Sequence, residues 1–304
     1  MIKEVPSFLF HCEIEKKLTQ KTLKAYSSDL KQFEAFLIKY KIEFIDKEHL
    51  KHYFLVLSKY APRTIKRKIA TLKTFFSYLE FEEIIENNPF RKIRGSVKLE
   101  KTLPTILSVE EIVSILKVAY RTRDIITQQS SYSYREKVRN IAVVELLLAS
   151  GIRVSELCSL RVYNMTSDFT SLKIQGKGSK ERMIPITNSA TQNSLKENYR
   201  YFRKEIEATS FVFVNRFGNA LSEQSVRYIV KKYAKKAKIR KNVTPHVFRH
   251  SFATLLLEGD VDIRYIQHLL GHSSINVTQI YTHVNEKKKK EILTLNSPRN
   301  LMMI

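Results

Sequence analysis

The spacing of apolar positions changes along this chain, and the changes mark out its elements. From Thr22 onward Leu23, Tyr26, Leu30, Phe33 and Leu37 recur at intervals of 3, 4, 3 and 4 residues. That is the period of one face of an α-helix, with Thr19 or Thr22 as its cap. A second helix is expected over 47–59 with Leu50, Phe54 and Leu57 inward. A third follows Pro62, burying Ile65, Ile69, Leu72, Phe76 and Leu79 and leaving Arg63, Arg67 and Thr74 on the opposite side. No alternating run interrupts these segments, so residues 1–90 read as a small helical bundle. Pro89, Gly95 and Pro104 then punctuate Arg91-Lys92-Ile93-Arg94, and residues 91–104 are expected to be a linker.

Beyond it, Ser108-Val109-Glu110-Glu111 has the form of a capping box that opens a helix through Ile115 and Leu116. The polar interval 127–133 is expected to be a surface loop, and the apolar run 138–149 a helix stopped by Gly151. Ser171–Gln175 and 182–186 flank the turn Gly176-Lys177-Gly178-Ser179-Lys180, which predicts a β-hairpin with a Gly-rich loop. A further short strand is expected at 211–214, and helices over the remainder. The pattern therefore predicts a mainly α protein with a small antiparallel sheet, in two domains, 1–90 and 105–304.

Charge narrows the partner. Fifty-three Lys and Arg against 30 Asp and Glu leave a net +23. The excess is spread along the chain, 20 basic against 13 acidic residues in 1–100 and 33 against 17 in 101–304. Such a field attracts a polyanion, and nucleic acid gains affinity from it by counterion release. A membrane surface competes poorly, because no basic amphipathic segment flanked by Trp is present and Trp is absent. Two cysteines, Cys12 and Cys158, make neither a disulfide framework nor a metal cluster and fit a reducing compartment. With no apolar leader and no run of 18 apolar residues, a cytoplasmic protein is expected.

Four C-terminal segments carry chemistry when taken together. They are Gly151-Ile152-Arg153-Val154-Ser155-Glu156-Leu157, Gly176-Lys177-Gly178, His246-Val247-Phe248-Arg249-His250, and Leu270-Gly271-His272 with Tyr281 nine residues on. Each alone has a plainer reading: a salt-bridged Arg, a hairpin tip, one tyrosine among 15. His246 and His250 stand at i, i+4 as zinc ligands do. Val247 occupies the place of the zincin Glu, however, and Arg249 would set a positive charge against the ion. The Gly-rich loop lacks the Walker spacing and leads into a strand, so it is no nucleotide cradle.

In order and spacing the four segments resemble the active-site boxes of the tyrosine-recombinase (phage-integrase) family over about residues 105–290. The N-terminal bundle is similar to that family's core-binding domain in helix pattern only. With no separate module expected ahead of the bundle, the chain resembles the simpler Xer-like members. The resemblance implies a catalytic set of Arg153, Lys177, His246, Arg249, His272 and the nucleophile Tyr281, with Glu156 orienting Arg153 or a nearby His. Phe248 stands where the family usually has Leu, an apolar exchange. It also implies a metal-independent site-specific recombinase, without cofactor, that cleaves and rejoins strands through a 3′-phosphotyrosine. The implied partner is double-stranded DNA with paired half-sites, occupied by a homotetramer or together with a heterologous partner recombinase. The biological roles this leaves open are dimer resolution, inversion and mobile-element integration.

DNA contact is expected from Arg63, Lys66, Arg67 and Lys73 on the third helix and from Lys180 at the hairpin tip. Lys231 and Lys235 are expected to add contacts from a stretch with seven basic residues in the eleven of 231–241. Two basic domains and a basic linker suggest a clamp on a duplex. Two other readings share much of this pattern: a type IB topoisomerase, with the same chemistry, and a sequence-specific DNA-binding protein that has lost the reaction. In the recombinase reading the apolar trio Ile292, Leu293 and Leu295 packs on a neighbouring subunit.

Overall fold

The structure is a computed structural model that describes residues 2–93, 105–175, 181–271, 286–300 and 302. It divides into two compact units, Met1–Thr102 and Leu103–Ile304.

The first unit is built from α1 (Val5–Ile14), α2 (Gln20–Lys39), α3 (Lys47–Leu57) and α4 (Pro62–Phe81). Thr19 is the cap of α2, its hydroxyl accepting from the Thr22 amide, and Pro62 opens α4 where its missing N–H costs nothing. The core is aromatic: Phe8, Phe33, Phe36, Tyr53, Phe75 and Phe76 are buried, with Phe33 edge-on to Tyr53 at 4.9 Å. α1 was not expected from the apolar pattern, and it contributes Phe8 and Cys12 to that core. A buried ion pair, Asp29 with Lys68, sits there. Asp29 on α2 accepts from Lys68 Nζ at 2.8 Å and Thr71 Oγ1 at 3.0 Å, and also pairs with Arg67, all on α4.

The second unit wraps around α6 (Tyr132–Ser150), which is buried almost continuously from Lys137 to Ser150 and packs against α5 (Val109–Asp124), α8 (Ser189–Tyr201) and α11 (Pro245–Glu258). The capping box opening α5 is present, with Ser108 Oγ accepting from the Glu111 amide and Glu111 Oε2 from the Ser108 amide. α6 begins inside the expected loop 127–133, because Ser131 accepts from the Tyr134 amide and caps it there. Polar side chains inside the helix, among them Arg139 and Glu145, find buried partners rather than ending it. α6 ends at Gly151 in the left-handed region, φ 59°.

After α7 (Val154–Ser159), β1 (Ser171–Gln175) pairs antiparallel with β2 (Glu181–Pro185), Ile174 opposite Arg182. The expected strand at 211–214 is absent as such: Phe211 and Val214 make only isolated bridges, to Arg161 and Ala220. The two bridges go to different segments, so no ladder extends. α9 (Arg203–Thr209), α10 (Glu223–Lys236), α12 (Ile263–Leu270) and α13 (Glu286–Asn296) complete the described helices.

The C-terminal segment docks in cis. Ile292, Leu293 and Met302 join the unit's own core, while Leu295 stays 64% exposed. Arg299 forks onto the buried Glu145 of α6, Nε to Oε2 at 2.6 Å and Nη2 to Oε1 at 2.8 Å. Tyr120 and Thr191 donate their hydroxyls to the same carboxylate. The trans docking expected for the apolar trio is therefore corrected for this single chain, where two of the three already have a core to fill. Among the described residues no helix is long and apolar enough to cross a membrane.

Candidate active site

Two helix C-termini build the site. An α-helix ends with carbonyls that lack an intrahelical donor and with the negative end of its dipole, so cations gather there. Three successive carbonyls at the end of α12 each accept from a different arginine. Leu269 O takes Arg182 Nε at 2.9 Å, Leu270 O takes Arg249 Nη2 at 2.6 Å, and Gly271 O takes Arg153 Nη2 at 2.9 Å. The end of α6 is served likewise, Gly151 O receiving Arg249 Nη1 at 2.7 Å.

The two glycines make this approach possible. At Gly151 a Cβ would lie 2.6 Å from Phe252 and 2.9 Å from Leu270; at Gly271 it would meet the Arg182 guanidinium at 2.9 Å. Both have positive φ, where a side chain is strained even before it collides.

A single carboxylate threads the arginines. Glu156, on α7, accepts from the Arg153 amide at 2.8 Å and Arg153 Nη1 at 2.9 Å. It also accepts both Nη atoms of Arg182, at 3.1 and 2.7 Å. Burial would raise its pKa, but the Arg182 fork and the Arg153 amide outweigh that and hold the carboxyl below its usual range. Three guanidiniums against one carboxylate leave an uncompensated positive field. Burial first, then Arg153 alongside, draws Arg249 down to about 10, so it stays charged at neutral pH. Bonds to described residues use two of the five N–H donors of Arg249 and two of those of Arg153. Arg249 is buried and Arg153 half-buried, so the remaining donors suit an incoming anion of fixed shape.

α11 supplies the other groups. Thr244 caps it, and its first turn carries His246, exposed, one turn before Arg249. Partial desolvation, then His250 and Arg249, lower the His246 pKa, which keeps the imidazole neutral and able to accept a proton. Phe248 is fully buried, so the larger ring serves the core. Among the described residues no group of three His, Cys, Asp or Glu side chains could hold a metal ion.

Of the predicted site, Arg153, Glu156 and Arg249 come together around the α12 terminus, with His246 on the same helix as Arg249. Lys177, Lys180, His272 and Tyr281 lie outside the described residues. Sequence reasoning missed Arg182 as a site residue. The signal available was the strand period: Arg182 shares its phase with Ile184 and Ile186, which puts an arginine on an inward face, where it needs a partner.

Among the residues expected at DNA, Arg63, Lys66 and Lys73 are exposed along one face of α4. Arg67 is there too, but it is tied to Asp29 rather than free. Lys231 and Lys235 are exposed on α10, whereas Lys241 is taken by Glu111 at 2.6 Å.

Residues 107–288 match the model of the phage integrase family, and residues 5–83 match the phage integrase N-terminal SAM-like domain. A tyrosine recombinase of Agathobacter rectalis is 43% identical, covering 97% of this chain and 96% of the relative. The tyrosine recombinase XerC of Thermodesulfovibrio yellowstonii is 35% identical, with 97% and 96% covered. In fold, the chain is similar to the XerH site-specific recombinase bound to palindromic difH substrate in a post-cleavage complex, with TM-score 0.72, 24% identity, and 97% and 84% covered. A lambda integrase dimer bound to a core site gives TM-score 0.65 at 19% identity, with 92% and 98% covered. The chain belongs to the phage integrase family, the tyrosine recombinases.

Proposed function

We propose that this recombinase binds paired half-sites on duplex DNA and exchanges strands through a 3′-phosphotyrosine formed by Tyr281. The observation that carries the reading is the arginine cluster on the α12 terminus, whose positive charge exceeds what Glu156 neutralises.

Arg153 and Arg249 present planar forks to the non-bridging oxygens of the scissile phosphate and stabilise the charge of its pentacoordinate state. His272 adds a hydrogen bond to the same group. A phenol with a pKa of ~10 is mostly protonated at neutral pH, so His246 accepts its proton as the Tyr281 oxygen bonds to phosphorus. The bond from phosphorus to O5′ breaks, and Lys177 delivers a proton to that oxygen, leaving a free 5′-hydroxyl. Attack by the 5′-hydroxyl of the other duplex reverses these transfers and restores a phosphodiester, so no energy source is consumed.

Arg63, Lys66, Arg67 and Lys73 serve as DNA contacts in the first unit, and Lys180, Lys231 and Lys235 in the second. The active assembly is a tetramer across two sites, of this chain alone or with a second recombinase, acting in the cytoplasm. Selection of the bound sequence from the DNA flanking the gene, followed by incubation of plasmids carrying two copies, tests the reading. Recombinant products that depend on both copies are expected. Relaxation of supercoils on plasmids without any copy, and no recombinants with two, would favour a type IB topoisomerase instead.

A further inference from the structure

The arginine on β2 has a part in the reaction that its place in the sequence does not announce. Arg182 is buried, and its side-chain bonds to described residues go to Glu156, which holds Arg153, and to the α12 terminus, whose next two carbonyls hold Arg249 and Arg153. Both Nη atoms grip Glu156, at 3.1 and 2.7 Å, and Nε holds Leu269 O at 2.9 Å. Glu156 in turn fixes Arg153 twice, through its amide and its Nη1. Gly271, against which the Arg182 guanidinium lies closer than a Cβ would allow, presents its carbonyl to Arg153 Nη2. Arg182 is thus bonded to one support of Arg153 and packed against the other. A lysine there would be a point charge, unable to span the carboxylate and the carbonyl with one rigid plane.

We propose that Arg182 is a positioning residue for strand cleavage: it sets Glu156 and the α12 terminus so that the Arg153 fork meets the scissile phosphate. Being five residues beyond Lys177 and linked to the backbone just before His272, it also ties the hairpin strand to the phosphate-binding helix end. The inference rests on the recombinase reading above and would sharpen it.

The test is single-turnover cleavage of a nicked suicide duplex carrying the selected site, with either a phosphate or a methylphosphonate at the scissile position. Misalignment of a positioned fork costs about 10²-fold in rate, so Arg182→Gln should cleave the phosphate duplex about that much more slowly while binding it as tightly as wild type. Arg182→Lys should recover part of the loss. Methylphosphonate removes the charge that Arg153 neutralises, so the deficits of Arg153→Ala and Arg182→Gln should shrink together on it. Arg153→Ala combined with Arg182→Gln should be no slower than Arg153→Ala alone. A general weakening of the fold would instead slow both substrates alike and add to Arg153→Ala, and either result would overturn the proposal. Should Arg182→Gln not fold, Arg182→Met with Glu156→Leu removes the buried pair together, leaving Arg153 bonded to Gly271 O. That variant should fold, bind and cleave slowly, and full-rate cleavage by it would overturn the proposal. Absence of cleavage by the wild type would remove the recombinase reading itself, whereas wild-type cleavage undiminished in the Arg182 variants would remove only the positioning role.

Discussion

At the scale of single residues, the site depends on positions with little freedom. Gly151 has to end α6 with φ 59° and lie under Phe252, since its carbonyl is one of two that hold Arg249. Gly151→Ala meets both obstacles: roughly 1–2 kcal/mol for the left-handed backbone, and a collision that moves Phe252 or Leu270. It should lower the urea midpoint and slow cleavage by more than it weakens DNA binding. Equal stability and rate would show that α6 can end another way. His246 makes a pH prediction. Its pKa lies below the ordinary 6.5, so the neutral base persists to lower pH than an unperturbed imidazole would. Cleavage should therefore fall away on the acid side only below pH 6.5, and His246→Gln should abolish that limb while lowering the plateau. A limb centred above 6.5 at subsaturating DNA, where the profile reports the free protein, would remove His246 as the proton acceptor. Arg153, Glu156 and Arg249 were legible from their boxes, because box order is a property of sequence. Arg182 was not, because its meaning depends on which carbonyls a distant helix end leaves bare.

Elements were read well wherever one face alone is apolar. α2 and α4 show the helical period plainly, and the Ser108 capping box marked the start of α5 to the residue. Reading failed where burial is complete or pairing is brief. α6 is buried all round near its end, so its true start lay hidden behind charged residues that are themselves satisfied inside. The segment 211–214 has strand composition but only bridges to pair with. The tail was misjudged because its anchor is a charge: Glu145 sits in the middle of an apolar run, and nothing local names Arg299 as its partner. Removing one member of such a buried pair costs about 3–5 kcal/mol. Arg299→Ala should therefore destabilise the second unit by about that much in urea unfolding. Truncation from Lys290 onward should do more, since Ile292, Leu293 and Met302 leave the core with it. A truncation that unfolds at the wild-type midpoint would mean the cis docking adds no stability.

At the scale of the whole molecule, a charge of +23 spread over both units sets affinity more than specificity. Binding of the selected duplex should weaken steeply with salt. Lys66→Ala and Lys73→Ala, both exposed on α4, should each reduce the slope of log K against log salt by about one. Arg67, already committed to Asp29, should contribute less to that slope and more to stability. Fold class was readable from periodicity and the reaction class from four short boxes, whereas the coupling among arginines needed the structure. Strand exchange by this route requires Tyr281 to become covalently joined to DNA. A nicked suicide duplex, incubated with the protein, denatured and digested, should yield one DNA-bearing peptide, modified at Tyr281 and carrying a 3′-phosphate linkage. Tyr281→Phe should bind the duplex and yield none; an adduct on any other residue, or one surviving in that variant, would contradict the account.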